Sequence, residues 1–367
     1  MAEIDLGAVT RNCRRLDAAA PGAVLCAVVK ADGYGHGVAA CAQAAMDGGA
    51  RWLAVVSAPE ARDMRATQPD VPVLVMGPLD HVELRQALAV DADIAVWHPA
   101  FLEAVIAVGR ELGVRPRIHV KLDTGMGRLG TRDPERAWDL VQAAAAEPAV
   151  ELVGFWTHFA TADIPGDPFF AEQLGRFDEL AVRVGERYPD VLRHAANSAA
   201  TLRDPASHYE MVRCGIAIYG LDPLNDDPGP RDLEPALALR SYVADVKEFG
   251  AGTSAGYGRS WRAPQDTCVG VVPIGYGDGV RRGLSNNAEV LIGGRRRPVV
   301  GTVSMDSITV DLGPATDVTP GAEAVLIGSQ RDERILCEEL ARRLDTINYE
   351  ITCGISARVP RRARAGA

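Results

Sequence analysis

Up to about residue 220, short apolar runs rich in valine, isoleucine and alanine alternate with longer segments whose apolar residues recur at helical spacing. The runs fall at 23–30 (AVLCAVVK), 52–56, 71–77, 93–98, 115–122, 150–158, 191–196 and 211–219. Between them, stretches such as 100–112 (AFLEAVIAVGREL) and 135–146 (ERAWDLVQAAAA) predict amphipathic helices. Strand then helix, eight times over, predicts an α/β chain folded as a (β/α)8 TIM-like barrel. A doubly wound open sheet is the alternative. It needs no eighth repeat, and it usually carries a glycine-rich phosphate loop after its first strand, where this chain has Lys30 and Tyr34.

The stretch Asp222 to Pro230 holds three prolines, one glycine and three acids, and predicts a linker. Beyond it, β-type runs follow at short spacing (ALALRSYVADVKEF, CVGVVPIGYG, AEVLIG, PVVGTVSMDSITVDL, EAVLIG), with one helical stretch near Glu338–Leu344. This pattern predicts a C-terminal, mostly-β domain. The expected division is a barrel over residues 1–225 and the β-domain over 233–367.

Composition narrows the class. No segment of the 367-residue chain approaches the roughly 18 uncharged apolar residues a membrane span needs. The start, Met1-Ala2-Glu3-Ile4-Asp5-Leu6, lacks the basic and apolar regions of a signal peptide, so a cytoplasmic location is expected. Seven scattered cysteines, with no C-x-x-C pair, predict neither a disulfide framework nor a zinc site, and no metal is expected. A net charge of −10 argues against nucleic acid as a partner, and the basic tail Arg358 to Arg364 reads as a solvated terminus.

Barrel enzymes place their chemistry where strands end. Here Lys30 closes the first run, Lys121 and Asp123 the fifth, and His158 the sixth; Asn197 and Ser198 follow the seventh, and Arg213 to Ile216 mark the eighth. A lysine at the mouth of an apolar barrel loses hydration, which favours its neutral, nucleophilic amine. Such an amine attacks aldehydes, the chemistry by which pyridoxal 5'-phosphate is held.

The ordered set VVKADGYGHG, KLDTGMGRLG, THFATAD, NSAAT, RCGIAIYG, IGYGDG and INYEITCGISAR resembles the alanine racemase family from end to end. The resemblance implies pyridoxal phosphate on Lys30 and a head-to-tail homodimer whose sites combine the barrel of one copy with the β-domain of the other. It implies that Tyr34, Asn197, Ser198, Gly215, Ile216 and Tyr349 hold the cofactor, most of them at its phosphate. Arg128 and the amide of Met305 would hold the substrate carboxylate, with Lys121 carbamylated to orient Arg128. Tyr276 would narrow the entrance beside Tyr349.

In the family an arginine matching Arg213 faces the pyridine nitrogen where many related enzymes place a carboxylate. An arginine does not give up its proton, so the nitrogen accepts a hydrogen bond and stays unprotonated, which favours racemisation over transamination. The resemblance assigns two bases, Lys30 for D-alanine and Tyr257 for L-alanine, with His158 linking Tyr257 to Arg213. Peptidoglycan precursors are one expected use of the D-alanine, with catabolism and a specialised pathway as the alternatives. The chain departs from the family's usual Ser-Tyr-Gly with Gly256-Tyr257-Gly258 and from its usual Cys-Met-Asp with Ser304-Met305-Asp306. Serine or another small amino acid is therefore the alternative substrate. An amino-acid decarboxylase of the same architecture would want an acid in place of Arg213, and a cofactor carrier would have little use for Tyr257.

Overall fold

The computed structural model describes residues 1–364. They form two compact units, one of Val9–Gly33 and Gly37–Ile218, the other of Met1–Ala8, Tyr34–His36 and the chain from Tyr219 onward.

The first unit contains β1 (Val24–Val28), β2 (Trp52–Val55), β3 (Val73–Val75), β4 (Asp93–Val96), β5 (Arg117–Lys121), β6 (Glu151–Trp156), β7 (Leu192–His194) and β8 (Met211–Cys214). From β1 to β7 each strand pairs in parallel with the next, and β8 pairs with β1. Between β7 and β8 the ring closes through Arg213 N donating to Ala196 O at 3.0 Å and Glu210 N to Arg193 O at 3.1 Å. The predicted barrel is the observed one. Each strand is shorter than its run, because apolar residues continue past the ladder into the following loop. Strands buried on both faces read as continuous apolar runs. Leu25, Leu53, Leu74 and Ile94 are fully buried, and each contributes roughly 1.5–3 kcal/mol by leaving water.

Local signals set the helices. Ser57 and Asp80 form capping boxes with Glu60 and Glu83, and Asp133 caps Pro134–Ala146. Gly113, at φ 68°, ends Pro99–Leu112 in the left-handed conformation.

The second unit is mostly β. Its large sheet runs in the order Arg295–Pro298, Glu289–Ile292, Glu323–Gln330, Leu237–Tyr242, Ala2–Asp5, Arg361–Arg364, and a separate sheet joins Asp245–Phe249, Thr267–Val272 and Ile308–Gly313. The strand Ala2–Asp5 lies antiparallel to Leu237–Tyr242 and parallel to Arg361–Arg364. Its partners lie far along the chain, so the local pattern counted these residues with the barrel. The basic tail is solvent-exposed at Arg358, Arg362 and Arg364, as read, but it is not loose. Arg361 donates to the carbonyls of Gly35, Ile355, Ser356 and Val359, and Arg364 pairs with the buried Glu3.

The stretch 222–230 is turn-rich as predicted but not loose. Asp222 is buried against Arg231, and Asn348 Nδ2 donates to Asp222 O at 2.7 Å. The helix Asn348–Cys353 that carries this asparagine was not legible as one. No helix of the described residues is long and apolar enough to cross a membrane.

Candidate active site

Lys30 stands two residues beyond β1, where the backbone turns the wrong way for L-residues. Ala31, Asp32, Gly33 and Tyr34 have φ of 52°, 52°, 62° and 54°, a left-handed turn that costs roughly 1–2 kcal/mol at each non-glycine residue. Hydrogen bonds hold it. Glu60 Oε1 accepts from Ala31 N at 2.8 Å, Asp32 Oδ1 accepts from Val38 N at 2.9 Å, and Val29 O accepts from Gly33 N at 3.0 Å. Glu60 was missed by sequence reasoning, although its capping box with Ser57 was there to be read.

At the end of β5 the Asp123 carboxylate accepts from Gly125 N at 3.0 Å and from Gly127 N at 3.0 and 3.1 Å, folding the loop that carries the exposed Arg128. Lys121 is 3% exposed and stands 4.1 Å from the centre of the Trp156 ring. Burial, and then the charges of Arg213 and Arg128, lower its pKa to about 7. Burial first, then Arg213, Lys121, Arg128 and Lys30, hold His158 well below the usual imidazole range, so it is neutral.

Arg213, on β8, is buried. It donates to Thr157 O at 2.8 Å, Ala195 O at 3.1 Å, His194 Nδ1 at 3.0 Å and His158 Nδ1 at 3.4 Å, all neutral acceptors. Burial lowers its pKa to about 10, which leaves it cationic at neutral pH. Lys30, Lys121, Arg128 and Arg213 thus converge electrostatically on one place, with Asp123 the carboxylate that acts on Lys121. Such an excess of cations fits an anionic ligand.

Ser198 opens the short helix Ser198–Arg203, and its buried Oγ accepts from Gly215 N at 3.0 Å and Ala217 N at 3.4 Å. Ile216, between Gly215 and Ala217, is buried. The side chain of Asn197 caps that helix, accepting from Ala200 N at 3.0 Å. These hydroxyl and peptide groups are neutral donors of the kind that cradle phosphate.

The remaining candidates lie in the second unit. Tyr34 and Tyr349 have ring centres 6.0 Å apart, and Tyr34 lies 5.3 Å from Tyr219. Glycine is required at position 35, where an added Cβ would stand 2.2 Å from Thr352 O. Tyr276 and Met305 are held together by Tyr276 N donating to Ser304 O at 3.0 Å and Gly277 N to Met305 O at 2.9 Å. Arg358 ties the same two segments, contacting Asp306 at 2.8 Å and Asp278 at 3.5 Å. Tyr257 is 73% exposed on a turn between two glycines, its carbonyl accepting from Thr302 Oγ1 at 2.8 Å.

Comparison with known proteins gives the same answer over the whole length. The family models described as alanine racemase N-terminal and C-terminal domains match residues 4–223 and 236–363. An alanine racemase of Frankia casuarinae is 42% identical over 98% of this chain and 95% of its own. The solved alanine racemase of Streptomyces coelicolor superposes with a TM-score of 0.91 at 40% identity, covering 99% of this chain and 97% of that one. That of Pseudomonas aeruginosa gives a TM-score of 0.89 at 34% identity, covering 99% of each. With both halves matched in order and the cationic strand ends of its barrel in place, the chain belongs to the alanine racemase family.

Proposed function

We propose that this chain interconverts L-alanine and D-alanine with pyridoxal phosphate carried on Lys30. The observation that carries this reading is Arg213, a buried guanidinium that donates only to neutral acceptors among the described residues. The relatives are named alanine racemases, which favours alanine over serine. When bound, pyridoxal phosphate supplies the electron sink that makes an amino acid's Cα proton removable.

With the cofactor bound, Arg213 would present its remaining N–H groups to the ring nitrogen, and a donor that does not give up its proton would disfavour a proton there and favour racemisation over transamination. Lys30 moves the proton on one face and Tyr257 on the other. A phenol, with a pKa of about 10, needs help to act as a base near neutrality. His158 accepts from Arg213 at Nδ1, which leaves its Nε2–H to donate to the Tyr257 oxygen and favour the phenolate. Arg128 and the Met305 amide orient the carboxylate, Ser198, Gly215, Ile216, Tyr34 and Tyr349 hold phosphate, and Tyr276 narrows the entrance.

We place Tyr257, with Met305 and Tyr276, against the barrel of a second copy in a cytoplasmic homodimer. These three large side chains are 73%, 51% and 44% exposed in the single chain, as an uncovered interface would be. The D-alanine would feed peptidoglycan precursors. To test the activity, L-alanine is incubated with cofactor-loaded protein while optical rotation and carbon dioxide are followed. Rotation falling to zero without gas is expected; gas evolution would select a decarboxylase, and unchanged rotation a carrier.

Arg213→Glu is expected to slow racemisation by about 10²-fold or more and to raise pyruvate formed per racemisation event, because a carboxylate lets the ring nitrogen keep a proton. Pyruvate that does not rise contradicts the role given to Arg213.

Lys121 carries a second expectation. Its neutral amine, which becomes the majority form as pH rises through about 7, adds carbon dioxide to give a carbamate and release a proton. The product replaces a cation crowded by Arg213 and Arg128 with an anion. In carbon-13 bicarbonate, a carbamate resonance should grow as pH rises through about 7 and vanish in Lys121→Met. Absence of the resonance at pH values well above that midpoint counts against the modification.

A further inference from the structure

Behind Arg213 lies a row of buried groups that the steps above do not use. His194 Nδ1 is 3.0 Å from Arg213 Nη1, and its Nε2 is 3.0 Å from His119 Nδ1. His119 Nε2 is 3.2 Å from Asp93 Oδ2, and Asp93 Oδ1 accepts from Arg117 Nε at 2.6 Å. His194, His119 and Asp93 are all fully buried. The row draws on β8, β7, β5 and β4, and therefore passes β6, which lies between β5 and β7.

Gly154 on β6 makes that passage possible. An added Cβ there would stand 2.0 Å from His119 Nδ1, the atom bonded to His194. The aromatic rings of Trp52 and Trp156 pack on the two imidazoles, Trp52 edge-on to His119 and Trp156 stacked on His194 at 5.6 Å.

The two ends dictate the direction of every bond. Arginine only donates, so His194 Nδ1 must accept and its proton sits on Nε2. That proton is given to His119 Nδ1, which places the His119 proton on Nε2, facing a carboxylate that only accepts.

We propose that Asp93, His119 and His194 form a one-way hydrogen-bond relay that holds Arg213 in place and in its donor role, as positioning residues for racemisation. The catalytic part rests on the reading of Arg213 given above. The relay connects the buried cation to a carboxylate without letting one touch it, and so leaves its remaining N–H groups for the site.

The direct test is nitrogen-15 NMR of histidine-labelled protein, with His119→Gln and His194→Gln used to assign two of the seven histidines. Both rings are expected as neutral Nε2–H tautomers. A ring protonated at Nδ1, or at both nitrogens, overturns the relay whether or not the variants fold. His194→Gln keeps an acceptor toward Arg213 and a donor toward His119, whereas His194→Leu keeps neither. The glutamine variant should stay near wild type, and the leucine variant should lose about tenfold in kcat at little-changed KM while its pyruvate per turnover rises. Two variants that behave alike contradict the positioning role. A protein with the expected tautomers that does not racemise alanine contradicts the reading of Arg213 and leaves the relay standing.

Discussion

Lys30→Ala is expected to abolish racemisation, by at least about 10³-fold, and to remove the bound cofactor's visible absorbance. On the function proposed above, the substitution removes in one step the amine that would carry the cofactor and the base for one face of Cα. The chain makes the test sharp, because it contains only three lysines, Lys30, Lys121 and Lys247. Lys247 is half exposed and paired with Asp245 in the β unit. Lys121 is the real rival, since a buried lysine with a pKa of about 7 has the reactive amine that such chemistry needs. The geometry nevertheless favours Lys30. The left-handed turn at Ala31, Asp32 and Tyr34 is strained backbone kept by specific partners, and strain of this kind collects where a functional group must be aimed. Borohydride reduction followed by peptide mapping should find the cofactor on Lys30. Label on Lys121, or label that persists in Lys30→Ala, contradicts the assignment.

Tyr257→Phe is expected to lose activity to a comparable degree, and the two inactive variants are expected to rescue one another. If each site draws Lys30 from one copy and Tyr257 from another, a hybrid dimer has one doubly damaged site and one intact site. With random pairing half the dimers are hybrids, so exchange of subunits should restore roughly a quarter of wild-type activity. The exposure of Tyr257 in the single chain and the neutral His158 ready to donate are the grounds for this expectation. A mixture that stays inactive after demonstrated exchange would refute the shared site and leave the cofactor assignment untouched.

The barrel was legible because its strands, buried on both faces, read as apolar runs and the segments between them repeat apolar residues at helical spacing, as in Pro99–Leu112 and Pro134–Ala146; the caps at Ser57, Asp80 and Asp133 went unread. The rim residues were legible because each follows an apolar run. What escaped depends on distance along the chain. Ala2–Asp5 finds its partners far along the sequence, and Arg361 satisfies the carbonyl of Gly35, which no local pattern connects with it. The relay left a faint trace. His119 stands two residues before Lys121 on the same strand, where period-two alternation puts both side chains on one face, and Asp93 opens an otherwise apolar run. A polar residue in such a run signals a buried network only once its partner is known, and the partner here is reached past Gly154.

The claim that two bases work on opposite faces is tested most directly in heavy water with Tyr257→Phe. Lys30 remains in that variant, so D-alanine is expected to exchange its α-proton for deuterium without becoming L-alanine. L-alanine is expected to keep its α-proton, because the group that removes it is gone. Exchange into L-alanine, or racemisation of either enantiomer at a rate near wild type, would contradict the two-base account.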